Sequence, residues 1–330
     1  MTTSDLAVDA TGLVKRFGSF TAVAGVDLAI EPGEVFGVLG PNGAGKTTTL
    51  SMLATLLPID SGRASIFGVD VASAPHQIRQ LVGVTGQYAS VDENLTGAEN
   101  LWLFARLHGR TARQARALAA DLLERFGLTE AAGKQIKDYS GGMRRRLDLG
   151  ASLISSPPLI FLDEPTTGLD PRTRSHMWDT IRELVANGST ILLTTQYLDE
   201  ADQLADRIAV IDRGLKVAEG TPSELKAGVG ESTLQLRLSD KSLVEDAALL
   251  VKRTTGVAPV LTPEAGGLNV PLPDANKAAD VLIALREADL SIMSAAVQQP
   301  TLDEVFLALT GHGTAESEAQ SETESEEARR

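Results

Sequence analysis

The sequence predicts an α/β domain followed by a smaller α+β domain. Short apolar runs at residues 35–39, 159–162 and 191–193 are typical of strands buried on both faces, and helical patterns lie between them. After residue 228 the pattern changes to an alternating strand at 233–238, followed by amphipathic helices. We therefore expect a first domain over residues 1–228 and a second over 229–311.

Composition limits the possible functions. The 330 residues carry a net charge of −14, and residues 311–330 hold six Glu against two Arg, so 312–330 is predicted to be an acidic disordered tail. An acidic chain whose one short basic run is 144–146 is not expected to bind nucleic acid. Cysteine is absent, which excludes disulfides. No stretch is long and apolar enough to span a bilayer, so another chain would supply any membrane span.

The chain begins with a predicted antiparallel flank. Residues 6–14 and 21–30 have strand-like patterns, and Phe17 is expected in the loop between them.

A glycine-rich loop follows the strand at 35–39. Its sequence, Gly-x-x-x-x-Gly-Lys-Thr over residues 40–47, turns so tightly that backbone N–H groups converge on a phosphate, aided by the dipole of the next helix. Lys46 can reach the β- and γ-phosphates, and the Thr47 hydroxyl can coordinate Mg²⁺. The loop predicts nucleotide binding but alone fits kinases, GTPases and many ATPases. Phe17 could then stack on adenine, although the sequence alone favours an ordinary core or lid aromatic.

Helical signals dominate about residues 90–155, which we interpret as a helical subdomain. Thr96 and Glu99 form a predicted capping box, and residues 112–126 continue with helical spacing. Ser140, Gly141 and Gly142 begin a further helix, whose N-terminus could bind a phosphate. An ordinary capped helix also fits Ser140 taken alone.

Two acidic residues follow the buried strand at 159–162. Asp163 can hold Mg²⁺ opposite Thr47, and Glu164 can position or deprotonate an attacking water. Asp170 and the following proline begin the next helix. Further βα alternation continues until about residue 228.

The second domain has the predicted order β-α-β-β-α-β, which suggests a ferredoxin-like α+β fold. A final helix follows, capped by Thr301 and Glu304, and its apolar stripe is expected to pack in a core.

The two phosphate-binding helix ends suggest a dimer. One chain rarely needs both ends for one nucleotide, whereas two copies arranged head to tail would place each nucleotide between the Lys46 loop of one and the Ser140 helix of the other.

At this point the motifs resemble the ATP-binding subunits of ABC transporters. The matching segments are the Walker A loop at 40–47, Gln87, the signature 139–143, the Walker B strand at 159–164 and the D-loop at 168–170. The resemblance implies that Phe17 stacks on adenine, that Glu164 is the catalytic base and that Gln87 contacts Mg²⁺ and the membrane partner. The usual switch His is replaced by Gln196, whose amide can donate to a γ-phosphate but carries no charge.

The predicted site therefore has three overlapping groups of residues. The catalytic group is Glu164, Gln196 and Lys46, and the metal group is Thr47, Gln87 and Asp163. The third group consists of the residues expected to bind ATP, which are Phe17, Gly40, Pro41, Asn42, Gly43, Ala44, Gly45, Lys46, Thr47, Thr48, Gln87, Ser140, Gly141, Gly142, Asp163 and Asp170.

Four segments, at 85–92, 139–146, 194–200 and 302–310, are similar to the daunorubicin/doxorubicin resistance ATP-binding proteins. That resemblance implies an ATPase that pairs with a separate integral-membrane permease, lies peripherally at the cytoplasmic face of the membrane, and drives export of a hydrophobic antibiotic. Export of a lipid or another metabolite, or a soluble ABC ATPase without a transporter, are the alternatives.

Overall fold

The computed structural model describes residues 6–86, 91–228, 232–262, 266–272, 276–298 and 300–310. The chain divides between Pro222 and Ser223 into two compact units, which we describe separately. In the described part of the chain, no helix is long and apolar enough to cross a membrane.

The strands and helices of the first unit alternate along most of its length. In chain order they are β1 (Val8–Phe17), β2 (Phe20–Ile30), β3 (Val35–Leu39), α1 (Lys46–Leu53), β4 (Ser61–Ile66), β5 (Val69–Asp70), α2 (Pro75–Leu81), β6 (Val82–Thr85), α3 (Gly97–Leu107), α4 (Ala112–Arg125), α5 (Gly141–Ser152), β7 (Leu159–Asp163), α6 (Pro171–Ala186), β8 (Thr190–Thr195), α7 (Leu198–Leu204), β9 (Arg207–Asp212) and β10 (Leu215–Gly220).

Two sheets organise this unit. The first has the order β2-β1-β4-β5 and is antiparallel, which confirms the predicted flank. The second has the order β10-β9-β3-β8-β7-β6 and is parallel except for the β9–β10 pair. The sequence reading missed β5, α2 and β10, which are short or exposed and carry little apolar pattern.

The central strands bring the functional segments together. Every residue of β3, β7 and β8 is buried, as their unbroken apolar runs predict. Leu39 pairs with Thr195, and Asp163 pairs with Thr194. Since the carboxyl ends of parallel strands meet at one edge of the sheet, the segments that follow these three strands lie side by side.

Helix boundaries follow local capping chemistry. Thr96 and Glu99 form the predicted capping box of α3, and the Ser140 and Asp170 side chains cap α5 and α6. Helix α1 ends at Leu53, and Thr55, two residues later, takes a left-handed conformation with φ of 59°. Phe17 is the last residue of β1, not part of a loop.

Helix α8 (Pro222–Ala227) begins at the division between the units. The second unit continues with β11 (Ser232–Leu238), α9 (Val244–Thr255), β12 (Val260–Thr262), β13 (Gly267–Leu272), α10 (Lys277–Glu287), β14 (Ile292–Gln298) and α11 (Leu302–Thr310).

Its sheet is antiparallel with the order β12-β13-β11-β14, the arrangement expected of a ferredoxin-like fold. Alternate residues of β11, including Leu234, Leu236 and Leu238, bury one face of the sheet in a separate core. Thr301 and Glu304 cap α11 reciprocally, as predicted. Within its apolar stripe, Leu302, Val305 and Phe306 are buried.

Candidate nucleotide-binding and catalytic site

The loop at residues 40–47 connects β3 to α1, and two of its glycines are required by close backbone contacts. A Cβ atom at Gly40 would lie 2.2 Å from the carbonyl oxygen of Ile211. One at Gly45, which has a φ of +103°, would lie 2.4 Å from the carbonyl oxygen of Ala22. Neither position can take a side chain without moving the backbone. The loop is therefore wedged between β2 and β9, so its N–H groups are held in a fixed array.

Lys46 is 4% exposed and lies against the loop itself. Its Nζ donates to the carbonyl oxygens of Gly40 at 2.8 Å and Pro41 at 3.1 Å, and lies 3.4 Å from Oε1 of Glu164. Burial lowers the pKa of Lys46, and the nearby Glu164 carboxylate partly offsets that effect. The structure thus places a desolvated cation directly beside the phosphate loop.

Thr47 and Asp163 meet at the edge of the parallel sheet, as the sequence predicts. The Thr47 hydroxyl donates to Oδ1 of Asp163 at 3.0 Å, and the Thr194 hydroxyl donates to the same oxygen at 2.5 Å. Asp163 is buried, whereas Thr47 is exposed at the start of α1. A carboxylate and a hydroxyl at one point are the hard oxygen ligands that Mg²⁺ prefers, so these residues fit the ion.

Glu164 sits in an unusual turn directly after β7. It is a non-glycine residue with a φ of 48°, and its N–H donates to the carbonyl oxygen of Thr194 at 3.0 Å. Its Oε2 accepts from the Thr167 hydroxyl at 3.4 Å. A left-handed glutamate persists only where its surroundings fix the backbone, and such residues cluster at functional sites. The turn places the Glu164 carboxylate beside the Lys46 ammonium.

Sequence reasoning missed Thr194. This residue bonds to Asp163 and also accepts from the Glu164 N–H at 3.1 Å, so one hydroxyl contacts both acidic positions. The pairing of Asp163 with Thr194 follows from strand register, which a single sequence does not specify. The available signal was that Thr194 comes directly after the apolar run at 191–193, at the carboxyl end of a predicted buried strand.

Gln196 directly follows β8 and is partly buried. Four residues further along the chain, Glu200 of α7 is fully buried and accepts from the Trp178 indole N–H at 3.4 Å. Burial raises the pKa of Glu200. Gln196 therefore lies in the short connection between β8 and α7, and α7 is joined to α6 by the buried carboxyl group of Glu200.

Phe17 lies at the end of the β1–β2 hairpin and is 48% exposed, which excludes a core role. The Lys15 ammonium lies 5.7 Å from the centre of its ring. The same hairpin approaches the phosphate loop through Ala22, whose carbonyl limits Gly45. An exposed ring near this loop is available to a base.

The signature segment presents a free helix end. Ser140 and Gly141 are exposed, Ser140 Oγ accepts from the Met143 N–H at 3.3 Å, and Gly142 packs on Thr173 of α6. Asp170 caps α6 by accepting from the Thr173 hydroxyl at 2.7 Å and its N–H at 3.0 Å, and these bonds lower the Asp170 pKa. Among the hydrogen bonds of the described residues, none joins the signature segment to the phosphate loop.

Gln87 lies outside the described residues, as does the acidic tail at 312–330. Gly86, the residue before Gln87, is described and follows β6. The remaining predicted nucleotide contacts, Pro41, Asn42, Gly43, Ala44 and Thr48, lie in the loop and the first turn of α1. The part of the chain that is described holds no group of three or more His, Asp or Glu suited to a metal.

Family models and relatives of known sequence both match ATP-binding proteins of ABC transporters. A family model described as ABC transporter matches residues 23–167, and one described as the C-terminal domain of DrrA1-3-like ATP-binding proteins matches 220–310. The daunorubicin/doxorubicin resistance ATP-binding protein DrrA of Streptomyces peucetius is 52% identical over 93% of this chain and 93% of its own length. The daunorubicin resistance ATP-binding protein DrrA3 of Streptomyces coeruleorubidus is 50% identical over 93% of this chain and 97% of its own.

Among solved structures, the ADP conformation of an ATP-binding cassette of an ABC transporter superposes with a TM-score of 0.59. It is 26% identical and covers 66% of this chain and 92% of its own.

Proposed function

The chain belongs to the ATP-binding proteins of ABC transporters, and from this membership we propose that it is the ATP-hydrolysing subunit of an exporter for a hydrophobic, anthracycline-like antibiotic. The observation that carries the proposal is the likeness to the daunorubicin/doxorubicin resistance proteins, which extends over 93% of the chain and includes the C-terminal unit. ATP hydrolysis itself follows from the ABC-type family. The proposal that the transported molecule is an anthracycline-like antibiotic rests on the names of the relatives.

The first step is nucleotide binding. The N–H groups of the loop at 40–47 and the Lys46 ammonium bind the phosphates of ATP, while Phe17 stacks on the adenine. Thr47 and Asp163, joined at 3.0 Å, would hold Mg²⁺ together with Gln87. When bound, the ion neutralises charge on the β- and γ-phosphates.

The second step is attack of water on the γ-phosphorus in line with the bond to ADP, which releases ADP and inorganic phosphate. The Glu164 carboxylate orients the water and accepts its proton. Lys46 attracts the negative charge of the transferred group, and the Gln196 amide donates a hydrogen bond to it. The buried surroundings of Glu164 exclude competing water, which strengthens each of these interactions.

Two copies act together in this proposal. The exposed Ser140–Gly142 helix end of one copy completes the nucleotide site of the other in a head-to-tail dimer that ATP stabilises. Asp170, at the N-terminus of α6, lies on the same assembled face. The segment around Gln87 passes the resulting movement to a separate integral-membrane permease. The protein therefore works peripherally, at the cytoplasmic face of the membrane.

The direct test is transport. The chain is co-expressed with a candidate permease, and ATP-dependent uptake of an anthracycline into inverted membrane vesicles is measured, with Lys46→Ala as the inactive control. We expect uptake that requires ATP and is lost in the variant. Absence of uptake, with ATPase activity and complex formation intact, would contradict the antibiotic cargo and favour a lipid or another metabolite. Co-purification with nucleic acid instead of a membrane protein would contradict the transporter role.

A further inference from the structure

The guanidinium of Arg145 crosses from α5 to the ends of two neighbouring strands. Its Nη1 donates to the carbonyl oxygen of Gly86, just after β6. Its Nη2 donates to the carbonyl oxygens of Asp163 and, at 3.1 Å, Glu164, while Nε donates to that of Pro165 at 3.3 Å. One side chain thus binds four backbone acceptors from two segments.

The three carbonyls at 163–165 belong to consecutive residues of the turn that carries Glu164. This turn holds Glu164 at a φ of 48°, a left-handed conformation that is unfavourable for a non-glycine residue and needs support from its surroundings. Thr194 fixes the Glu164 N–H, and Arg145 fixes the Glu164 carbonyl. The backbone of Glu164 is therefore held from both sides, by β8 and by α5.

The neighbouring arginines on α5 make different contacts. Arg144 forms an exposed ion pair with Glu93 at 2.7 Å, and Arg146 donates to the carbonyl oxygen of Phe126 at 2.8 Å. Of these three arginines, Arg145 is the one whose hydrogen bonds reach the carboxyl ends of β6 and β7, where Glu164 lies. A planar guanidinium with five donors can satisfy four carbonyls at once, which a lysine ammonium cannot reproduce.

We propose that Arg145 is a positioning residue for ATP hydrolysis, which holds the Glu164 turn and Gly86, just after β6, in register with the signature helix α5. This inference rests on the proposed role of Glu164 as the base. Because Ser140 is the N-cap of α5, the helix end proposed to receive the partner's nucleotide is connected through the Arg145 side chain to the turn that carries the base of its own subunit. Arg145 thereby conveys the position of the signature helix to the chemical step.

The test compares Arg145→Lys with Arg144→Lys in the full-length protein assembled with its membrane subunit. Each variant keeps the charge. We expect Arg145→Lys to lower kcat for ATP by about tenfold or more, corresponding to loss of one charged hydrogen bond in the transition state, while affinity for a fluorescent ATP analogue changes less than about threefold. Arg144→Lys should change neither quantity.

A double-mutant cycle with Glu164→Gln separates positioning from general stabilisation. If Arg145 acts through the Glu164 carboxylate, adding Arg145→Lys to Glu164→Gln costs little further activity in single-turnover assays. Full additivity, wild-type kcat in Arg145→Lys, or a parallel loss of nucleotide affinity and thermal stability would each overturn the inference. If the Glu164→Gln enzyme is inactive and the Arg145→Lys enzyme is fully active, the inference about Arg145 alone is wrong. If the Glu164→Gln enzyme is fully active, Glu164 is not the base, and the inference about Arg145 is wrong as well.

Discussion

Replacement of Thr194 by Val removes one hydroxyl that serves two acidic residues and leaves the shape of the side chain nearly unchanged. In the structure this hydroxyl donates to the Asp163 carboxylate at 2.5 Å and accepts from the Glu164 N–H at 3.1 Å. The Glu164 N–H keeps its bond to the Thr194 carbonyl at 3.0 Å, and Asp163 keeps the Thr47 hydroxyl. The cost is therefore one hydrogen bond to a buried carboxylate, worth about 2 kcal/mol of unfolding free energy.

The measurement is urea unfolding followed by tryptophan fluorescence. The sequence has two Trp residues, Trp102 and Trp178, and both lie in the first unit, so the signal reports that unit alone. Thr194→Ser is the matched control, because it keeps the hydroxyl and loses a methyl group. A Thr194→Val protein within about 0.5 kcal/mol of the wild type would refute the reasoning, since that is the usual range for a substitution without a structural role.

Four further outcomes are expected. Glu164→Gln should lower single-turnover hydrolysis at least about 100-fold while sparing ATP binding, because it removes the proton acceptor; a fully active enzyme would contradict the assignment. Gln196→His should keep or raise ATPase activity, measured as phosphate release, since an imidazole can donate the same hydrogen bond and also carry charge. Phe17→Ala should weaken ATP binding about tenfold in a titration, through loss of stacking on the base; unchanged affinity would remove Phe17 from the site. Burial raises the pKa of Glu200 above its ordinary 4.5, so the contribution of this group to stability is complete below that pH and is lost as pH rises through the raised value. Glu200→Gln should therefore flatten this loss of stability in unfolding curves recorded from pH 4.5 upward, and identical pH profiles would contradict the argument.

Much of the site could be predicted from sequence because its signals are local. A few neighbouring residues are enough to predict the structure of three features: the loop at 40–47, the cap at Ser140 and the buried run before Asp163. The parallel sheet followed from apolar runs separated by helices, and the antiparallel second unit followed from strict alternation in β11.

The residues that were missed act across long separations. Arg145 lies in the short basic run at 144–146, where the sequence gives no sign of a buried partner, yet it contacts Gly86, 59 residues away. Glu200 stands between an exposed Asp199 and a buried Ala201, and helical spacing does not show whether an acidic side chain there points inward. Thr194 depends on strand register. In each case the decisive partner is fixed by tertiary packing, which local pattern does not encode.

The contact between Lys46 and Glu164 makes nucleotide binding an exchange reaction. The Lys46 ammonium, 3.4 Å from the carboxylate and bound to two loop carbonyls, already has negative partners of its own. A γ-phosphate that recruits the ammonium must displace them, so the same event that fills the site releases the Glu164 carboxylate from its cation. If Glu164 is the base, as proposed, the free energy of displacing these partners lowers the apparent affinity for ATP below the intrinsic affinity of the loop, and the carboxylate is released from its cation only when a nucleotide is bound.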